Sequence, residues 1–351
     1  MSRDHVVSGR AVVTCEPKAN ERPPFFIVGP GRSGTTLMAR LLSAHSRLTV
    51  APETHYLKRA VAGGAAVDEG PRDYDDFWAK YTQWSRFMDL EVDADRCVAR
   101  IDALGVRSFR NIFAGVLSTY GESLNKARVG EKTPGHVRFM DRLLAWFPDT
   151  RFIVMVRDPR AVVASQLRSP WVRIRPPSLR RGVVIDSRAY QTVRYAVDWK
   201  EIYDIARAWK GHPQVIVQPY EDLVRSPHHA LSQICDFLGE DFEPEMLEGV
   251  RDAERIPPGT AAAYRHAWGD WLERHHQRAN QSISLESLEK WRNQLTKWEV
   301  AAVEGVCGGR MREQGYELTA SSVARAAGRL TSFGVELVHN LEYALRKAAR
   351  R

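Results

Sequence analysis

The run Phe25-Phe26-Ile27-Val28-Gly29-Pro30-Gly31-Arg32-Ser33-Gly34-Thr35-Thr36 limits what this chain can fold into more than any other stretch. Four apolar residues between Pro24 and Gly29 predict a short strand buried on both faces. In "TTLMARLLSAH", Leu37, Met38, Leu41 and Leu42 recur at helical spacing. A glycine loop between a strand and a helix lets backbone N–H groups and a helix N-terminus receive an oxyanion. The nucleoside-triphosphate version of such a loop places a lysine after its second glycine. Here Thr35 stands at that position, and Arg32 has entered the loop. The alternative is a tight strand-to-helix turn without a ligand.

Further short apolar runs follow in "LTVAPET", "FIVMV" and "QVIVQPYEDLV", separated by helical stretches. Strands alternating with helices predict an α/β fold with a mainly parallel sheet. Ligands of such sheets lie beyond the carboxyl ends of the strands. The loop Gly29 to Thr36, Glu53, Arg157 and Tyr220 all follow expected strand ends, so they are placed to converge. Residues 55–128 are expected to be mostly helical, and 129–137 a turn-rich link. A mobile basic loop is expected at 170–185, a long loop at 250–283, and helices at 188–210, 227–239 and 286–315.

The net charge of +8 suits nucleic acid, an anionic surface or an anionic small ligand, and eight arginines fall between Arg151 and Arg181, for which a solvated basic face is the alternative reading. Arginine's planar fork grips phosphate in two places. These arginines gather at strand ends without interleaved aromatics, which argues against a single-strand nucleic-acid platform. No apolar run approaches the roughly 18 residues of a membrane span. The first twenty residues lack the apolar core of a secretory signal. Cys15, Cys97, Cys235 and Cys307 are far apart and show no metal spacing. A cytoplasmic, metal-free protein is the expectation.

A second motif sharpens the first. In "FIVMVRDPRAVVASQL", Arg157 directly follows a strand and Ser165 comes eight residues later on the next helix, so the two can hold a phosphate from two sides. Two phosphate grips on one sheet point to a nucleotide with separated phosphates. Together, "GPGRSGTT" and "VRDPRAVVAS" resemble the sulfotransferase superfamily that uses 3′-phosphoadenosine-5′-phosphosulfate (PAPS). The pattern is most similar to the branch of the tyrosylprotein sulfotransferases and many bacterial sulfotransferases, over roughly residues 24–316. The resemblance implies a P-loop-like three-layer fold, its central mainly parallel sheet flanked by helices. It also implies PAPS as co-substrate, adenosine 3′,5′-bisphosphate as product, and no metal. Arg32, Ser33, Gly34, Thr35 and Thr36 match the 5′-phosphosulfate loop, and Arg157 and Ser165 match the 3′-phosphate motif. Tyr220 in "PYEDLV" matches a tyrosine packed near the nucleotide, and Lys290 in "LEKW" a phosphate contact from a C-terminal closing element. The family often carries another arginine four residues beyond the serine; Ser169 stands there, with Arg168 one step early, and that contact stays unassigned.

Glu53 in "APETHYL" resembles the family's Glu-Thr motif, whose glutamate is the general base. Without the resemblance, an acid after Pro52 reads as a helix-N-terminal acid favoured by the dipole. His55 is the rival base and is expected to point away from the site. Lys132 in "GEKTPGHV" resembles the lysine that contacts the bridging oxygen or the sulfate; otherwise it is a surface lysine in a turn. His136 has weaker support. The resulting expectation is a sulfotransferase of bacterial type that moves a sulfuryl group to a hydroxyl, less readily to an amine. Glu53 would be the base, with Lys132 and Arg32 stabilising charge. A small-molecule kinase with a degenerate loop and a non-catalytic nucleotide-binding module are the alternatives. The acceptor is expected to be a small molecule, a glycan or a lipid-like alcohol, in a pocket shaped by the aromatic segment 74–113 and the loop 170–185. The expected organisation is an arm at 1–22, a catalytic domain at 23–318 and a basic amphipathic helix at 319–351. The apolar stripe of that helix, from Leu330 to Leu345, would pack on the domain or on a second copy of the chain in a homodimer.

Overall fold

The computed structural model describes residues 22–60, 69–169, 178–180, 183–185, 188–248, 284–330 and 332–334. The expected arm (apart from Arg22), the expected loop at 250–283, most of the basic loop and the stripe beyond residue 334 lie outside the described residues.

The chain enters β1 (Phe25–Val28), passes the glycine loop into α1 (Thr35–Ser43), and returns as β2 (Leu48–Ala51). Next come α2 (Tyr56–Ala60), α3 (Tyr74–Thr82), α4 (Ser85–Met88), α5 (Ala94–Ala103) and α6 (Phe109–Ser123). The chain then forms β3 (Arg128–Lys132), a 3-10 turn at Pro134–Phe139, α7 (Met140–Trp146), β4 (Arg151–Val156) and α8 (Pro159–Leu167). A short antiparallel pair, β5 (Ser178–Arg180) and β6 (Val183–Ile185), precedes α9 (Arg188–Ala208), β7 (Val215–Pro219), α10 (Tyr220–Arg225) and α11 (Pro227–Leu238). Beyond Glu286–Glu289 and Lys290–Asn293, the helix Lys297–Glu313 closes the described domain.

The main sheet has the order β2-β3-β1-β4-β7, and every neighbouring pair is parallel. β1 and, after Arg151, β4 are apolar throughout because both faces are covered. Alternation still sorts their side chains. Phe26, Val28, Phe152, Val154 and Val156 join one core with α6, α8, α9 and Lys297–Glu313. Phe25, Ile27, Ile153 and Met155 join a second with α1 and α11. The result is the expected three-layer α/β fold. Chain order leaves β1 leftwards for β2 and β3 and rightwards for β4 and β7, so the topological switch point lies at the carboxyl end of β1, where the glycine loop begins.

Several helix starts follow local chemistry. Asp73, Asp93 and Ser108 cap α3, α5 and α6 through their side chains. Asp158 caps α8 by accepting from Arg160 N, with Pro159 in the first turn. Thr296 and Glu299 form a capping box on Lys297–Glu313.

Four expectations need correction. The link at 129–137 contains β3, an inner strand: Gly130, Glu131 and Lys132 break the apolar run that marks its neighbours, yet all three are buried. A Cβ on Gly130 would lie 2.4 Å from the Phe25 ring, so only glycine fits there. Part of the basic loop forms the β5–β6 pair. β7 is an edge strand, mostly half-buried, and not the fully buried run its composition suggests. Much of the aromatic segment is core: Tyr81, Phe87, Phe109 and Phe113 are buried, and Phe113 stacks on Tyr56 at 4.6 Å. Near the C-terminus, residues 322–330 are helical and cross Lys297–Glu313 at Gly305 and Gly328, where an added Cβ would meet backbone at 2.6 and 2.7 Å. It is these glycines that pack; Leu330 and Phe333 of the apolar stripe are exposed.

Candidate functional site

The carboxyl ends of the strands bring the two expected anion grips into contact. Arg32 Nε donates to Ser165 Oγ at 3.0 Å, and Arg157 Nη1 donates to the Arg32 carbonyl at 3.2 Å. The loop from β1 and the β4–α8 corner thus form one wall. Gly34 has φ 88 in the left-handed region, and a Cβ there would lie 2.3 Å from the Tyr220 ring. Tyr220, just past the end of β7, packs against the loop because glycine leaves it room. The Arg157 guanidinium lies 4.2 Å from the centre of the Tyr220 ring, and Trp199 Nε1 donates to the Arg157 carbonyl at 3.0 Å.

This wall fits an oxyanion. Burial and the neighbouring charge of Arg157 push the Arg32 guanidinium down to about 10, against the opposing pull of Glu53. Two cations this close repel each other until an anion joins them. Among the described residues, Ser33 Oγ and Arg157 Nε are buried without a hydrogen-bond partner, and buried polar atoms of this kind ordinarily have one. Thr35 is buried and Thr36 half-buried in the first turn of α1, which starts without a side-chain cap. Among the described residues no cluster of metal-binding side chains occurs.

On the other side of the loop, Lys132 at the end of β3 donates to Glu53 Oε1 at 2.7 Å. Glu53 Oε2 lies 3.1 Å from His55 Nε2. Burial raises the Glu53 carboxyl, but Lys132 and His55 together outweigh it and hold the group well below the usual carboxylate range. His55 therefore does not point away. Residues two apart on an extended segment share a side, and the left-handed His55 backbone (φ 48) turns its ring onto Glu53.

Of the residues singled out in the sequence, Arg32, Ser33, Gly34, Thr35, Thr36, Arg157, Ser165, Tyr220, Glu53 and Lys132 all stand at this end of the sheet. Lys290 is not brought to them: its side chain is 55% exposed and lies 3.7 Å from Glu286. The same segment contributes Ser287 instead, whose carbonyl accepts from Arg157 Nη2 at 2.8 Å and whose Oγ lies 2.9 Å from Tyr220 OH. Ser169 Oγ donates to the Ser165 carbonyl at 3.1 Å, and Arg168 is exposed. Sequence reading missed Ser287 and Glu131, and it turned His55 away from the site; the signal for Ser287 was its place in the "ESLEKW" segment. A polar cleft at the opposite end of the sheet, lined among others by Arg22, His45, Arg47, Glu240 and Glu243, is internally paired, both arginines contacting Glu240.

A parallel three-layer sheet with an arginine-bearing glycine loop at its switch point, a second arginine grip beside it and a Glu–Lys pair opposite defines an α/β protein built to hold an anionic ligand. Residues 23–244 match the Sulfotransferase family, and the chain belongs to it. Nodulation protein NoeE of Sinorhizobium fredii is 26% identical over 313 residues, covering 86% of this chain and 68% of that protein. Protein-tyrosine sulfotransferase 2 of Gallus gallus is 24% identical, covering 78% of this chain and 64% of its own length. Omega-hydroxy-beta-dihydromenaquinone-9 sulfotransferase Stf3 of Mycobacterium tuberculosis is 27% identical, covering 72% and 75%. In fold, the chain is similar to the sulfotransferase domain of the Synechococcus PCC 7002 olefin synthase, with a TM-score of 0.57, 21% identity, and coverage of 86% of this chain and 97% of that one.

Proposed function

We propose that this chain transfers the sulfuryl group of PAPS to an acceptor hydroxyl, with residues 23–318 as the catalytic unit. The observation that carries the reading is the contact between the two grips: Arg32 touches both Ser165 and Arg157, so one small ligand reaches both. PAPS supplies a sulfuryl group already joined to a phosphate leaving group. Arg32, Ser33, Thr35 and Thr36 hold the 5′ end, and Arg157 and Ser165 take the 3′-phosphate. Tyr220 and Ser287 flank Arg157. Lys132 and Arg32 offset the negative charge that grows on the leaving phosphate, in a site where fixed charges need little reorganisation. Glu53 takes the proton of the acceptor hydroxyl, and positioning for in-line transfer supplies much of the remaining acceleration.

The Glu53–Lys132 contact links the two tasks. While Lys132 is bonded to Glu53, the carboxylate is a weak base; once Lys132 turns to the donor, Glu53 gains proton affinity where the acceptor arrives. The names of two relatives, a protein-tyrosine and an omega-hydroxy-dihydromenaquinone sulfotransferase, speak for hydroxyl acceptors. Calorimetric titration with adenosine 3′,5′-bisphosphate and with adenosine 5′-phosphate tests the nucleotide assignment: binding that does not distinguish them contradicts it. Labelled sulfate passing from PAPS to a panel of phenols, sugars and alkyl alcohols tests the reaction.

A further inference from the structure

Behind the Glu53–Lys132 pair lies a carboxylate that the proposed chemistry does not use. Glu131 is fully buried on β3, in register with Ala51 of β2 and Phe26 of β1. Its Oε1 accepts from Thr54 N at 3.2 Å, Thr54 Oγ1 at 2.8 Å and Thr133 Oγ1 at 2.5 Å, and its Oε2 lies 3.0 Å from His136 Nδ1. Burial raises the Glu131 carboxyl, but His136, Thr133 and Thr54 outweigh it and hold it below the ordinary range. The ionised carboxylate is then an acceptor only, and His136 donates from Nδ1. His136 is itself buried, and among the described residues its Nε2 has no partner and this is the ring's one polar bond.

The bonds from this carboxylate end on the segment that carries the base. Thr133 Oγ1 donates to Glu131 and accepts from His55 N at 3.2 Å; Thr54 Oγ1 does the same for Tyr56 N at 3.2 Å. With Thr54 N on Glu131 itself, the N–H groups of the three residues after Glu53 are all taken up here. The left-handed turn at His55 is held by these bonds, and that turn brings its ring to Glu53. The same stretch accepts Gly29 N on the Pro134 carbonyl at 3.1 Å, tying in the phosphate loop. A buried carboxylate is costly to maintain and persists only when its oxygens are satisfied.

We propose that Glu131, held by Thr133 and His136, is a positioning residue that fixes the backbone of residues 53–55 so that Glu53 stands between Lys132 and His55. The inference rests on Glu53 being the base. The test compares the full chain with Glu131→Gln, His136→Asn, His136→Phe and Glu53→Gln. Two quantities are read: the Kd for adenosine 3′,5′-bisphosphate, and the pH profile of single-turnover sulfate transfer to the best acceptor of the panel. Glu131→Gln is expected to keep the Kd within about threefold and to lose about 10²-fold in transfer, the scale of a misplaced catalytic group. Its acid limb should move up as Glu53 loses its ordered contacts. His136→Asn returns an N–H donor near the Nδ1 position and should keep most of the transfer, whereas His136→Phe should follow Glu131→Gln. Unchanged transfer in Glu131→Gln, or a loss matched by an equal loss of nucleotide affinity, overturns the proposal. So does a His136→Asn chain no better than His136→Phe. If Glu131→Gln fails to fold, Thr133→Val, which cuts one bond of the network, carries the same expectation. A fully active Glu53→Gln overturns the base assignment; an inactive Glu53→Gln beside an active Glu131→Gln overturns this inference alone.

Discussion

At the scale of single residues, Glu53 is where structure and proposed chemistry meet most directly. Glu53→Ala is expected to leave nucleotide affinity intact and to lower turnover by at least about 10²-fold, measured with saturating donor and acceptor. Because Lys132 and His55 hold the carboxyl down, it stays ionised into acid, so the acid limb of kcat/KM in the wild type should fall below the ordinary carboxylate range. Lys132→Ala removes the contact at 2.7 Å and should move that limb upwards in the residual activity. Arg157→Ala should weaken PAPS far more than adenosine 5′-phosphosulfate, which lacks the 3′-phosphate; equal weakening would reassign Arg157. Arg157 and Glu53 were legible as residues that follow apolar strand runs, while the roles of Glu53 and Lys132 were read from the family resemblance. Glu131 and the orientation of His55 were not legible. They depend on a left-handed turn and on hydrogen bonds between Thr54, beyond β2, and Glu131 of β3, 77 apart in sequence, which no local pattern encodes.

At the scale of elements, legibility tracked apolar continuity. β1, β4 and α1 stand where their composition puts them, because a strand covered on both faces must be apolar along its whole length. β3 escaped notice because the residues it buries are charged or glycine: Arg128, Gly130, Glu131 and Lys132. Arg128 reaches the Leu238 carbonyl at 2.6 Å, Glu131 its network, and Lys132 Glu53, so the missing hydrophobicity is replaced by specific partners. Gly130 makes this strand testable. Gly130→Ala forces a Cβ against the Phe25 ring in the middle of the sheet and should destabilise the fold by about 1–3 kcal/mol, the usual cost of overpacking. Urea denaturation measures it, and an unchanged midpoint would show that the sheet yields at this point.

For the molecule as a whole, a buried ionic cluster ties the β4–α8 corner to the C-terminal part of the domain. Arg160 is 4% exposed and pairs with Asp158 at 2.7 Å and Glu304 at 2.8 Å. Trp291 lies against its guanidinium at 4.1 Å. Glu221 accepts from Asp158 N and from Tyr316 OH, each at 2.9 Å. Arg160→Ala strands two buried carboxylates and should cost about 3–5 kcal/mol by urea denaturation. Nucleotide affinity should fall with it, because the Ser287 segment that meets Arg157 is anchored through Trp291.

The central place of β1 has a separate consequence. Arg157, Ser165 and Tyr220, proposed to hold the donor's far end, arrive from the β4–β7 half, and the proposed base and its partners arrive from the β2–β3 half, together with helices α2 to α6. The proposed function thereby assigns acceptor choice and donor choice to different stretches of chain. A chimaera that borrows residues 56–123 from a relative should change its clientele while continuing to draw on the same currency of activated sulfate.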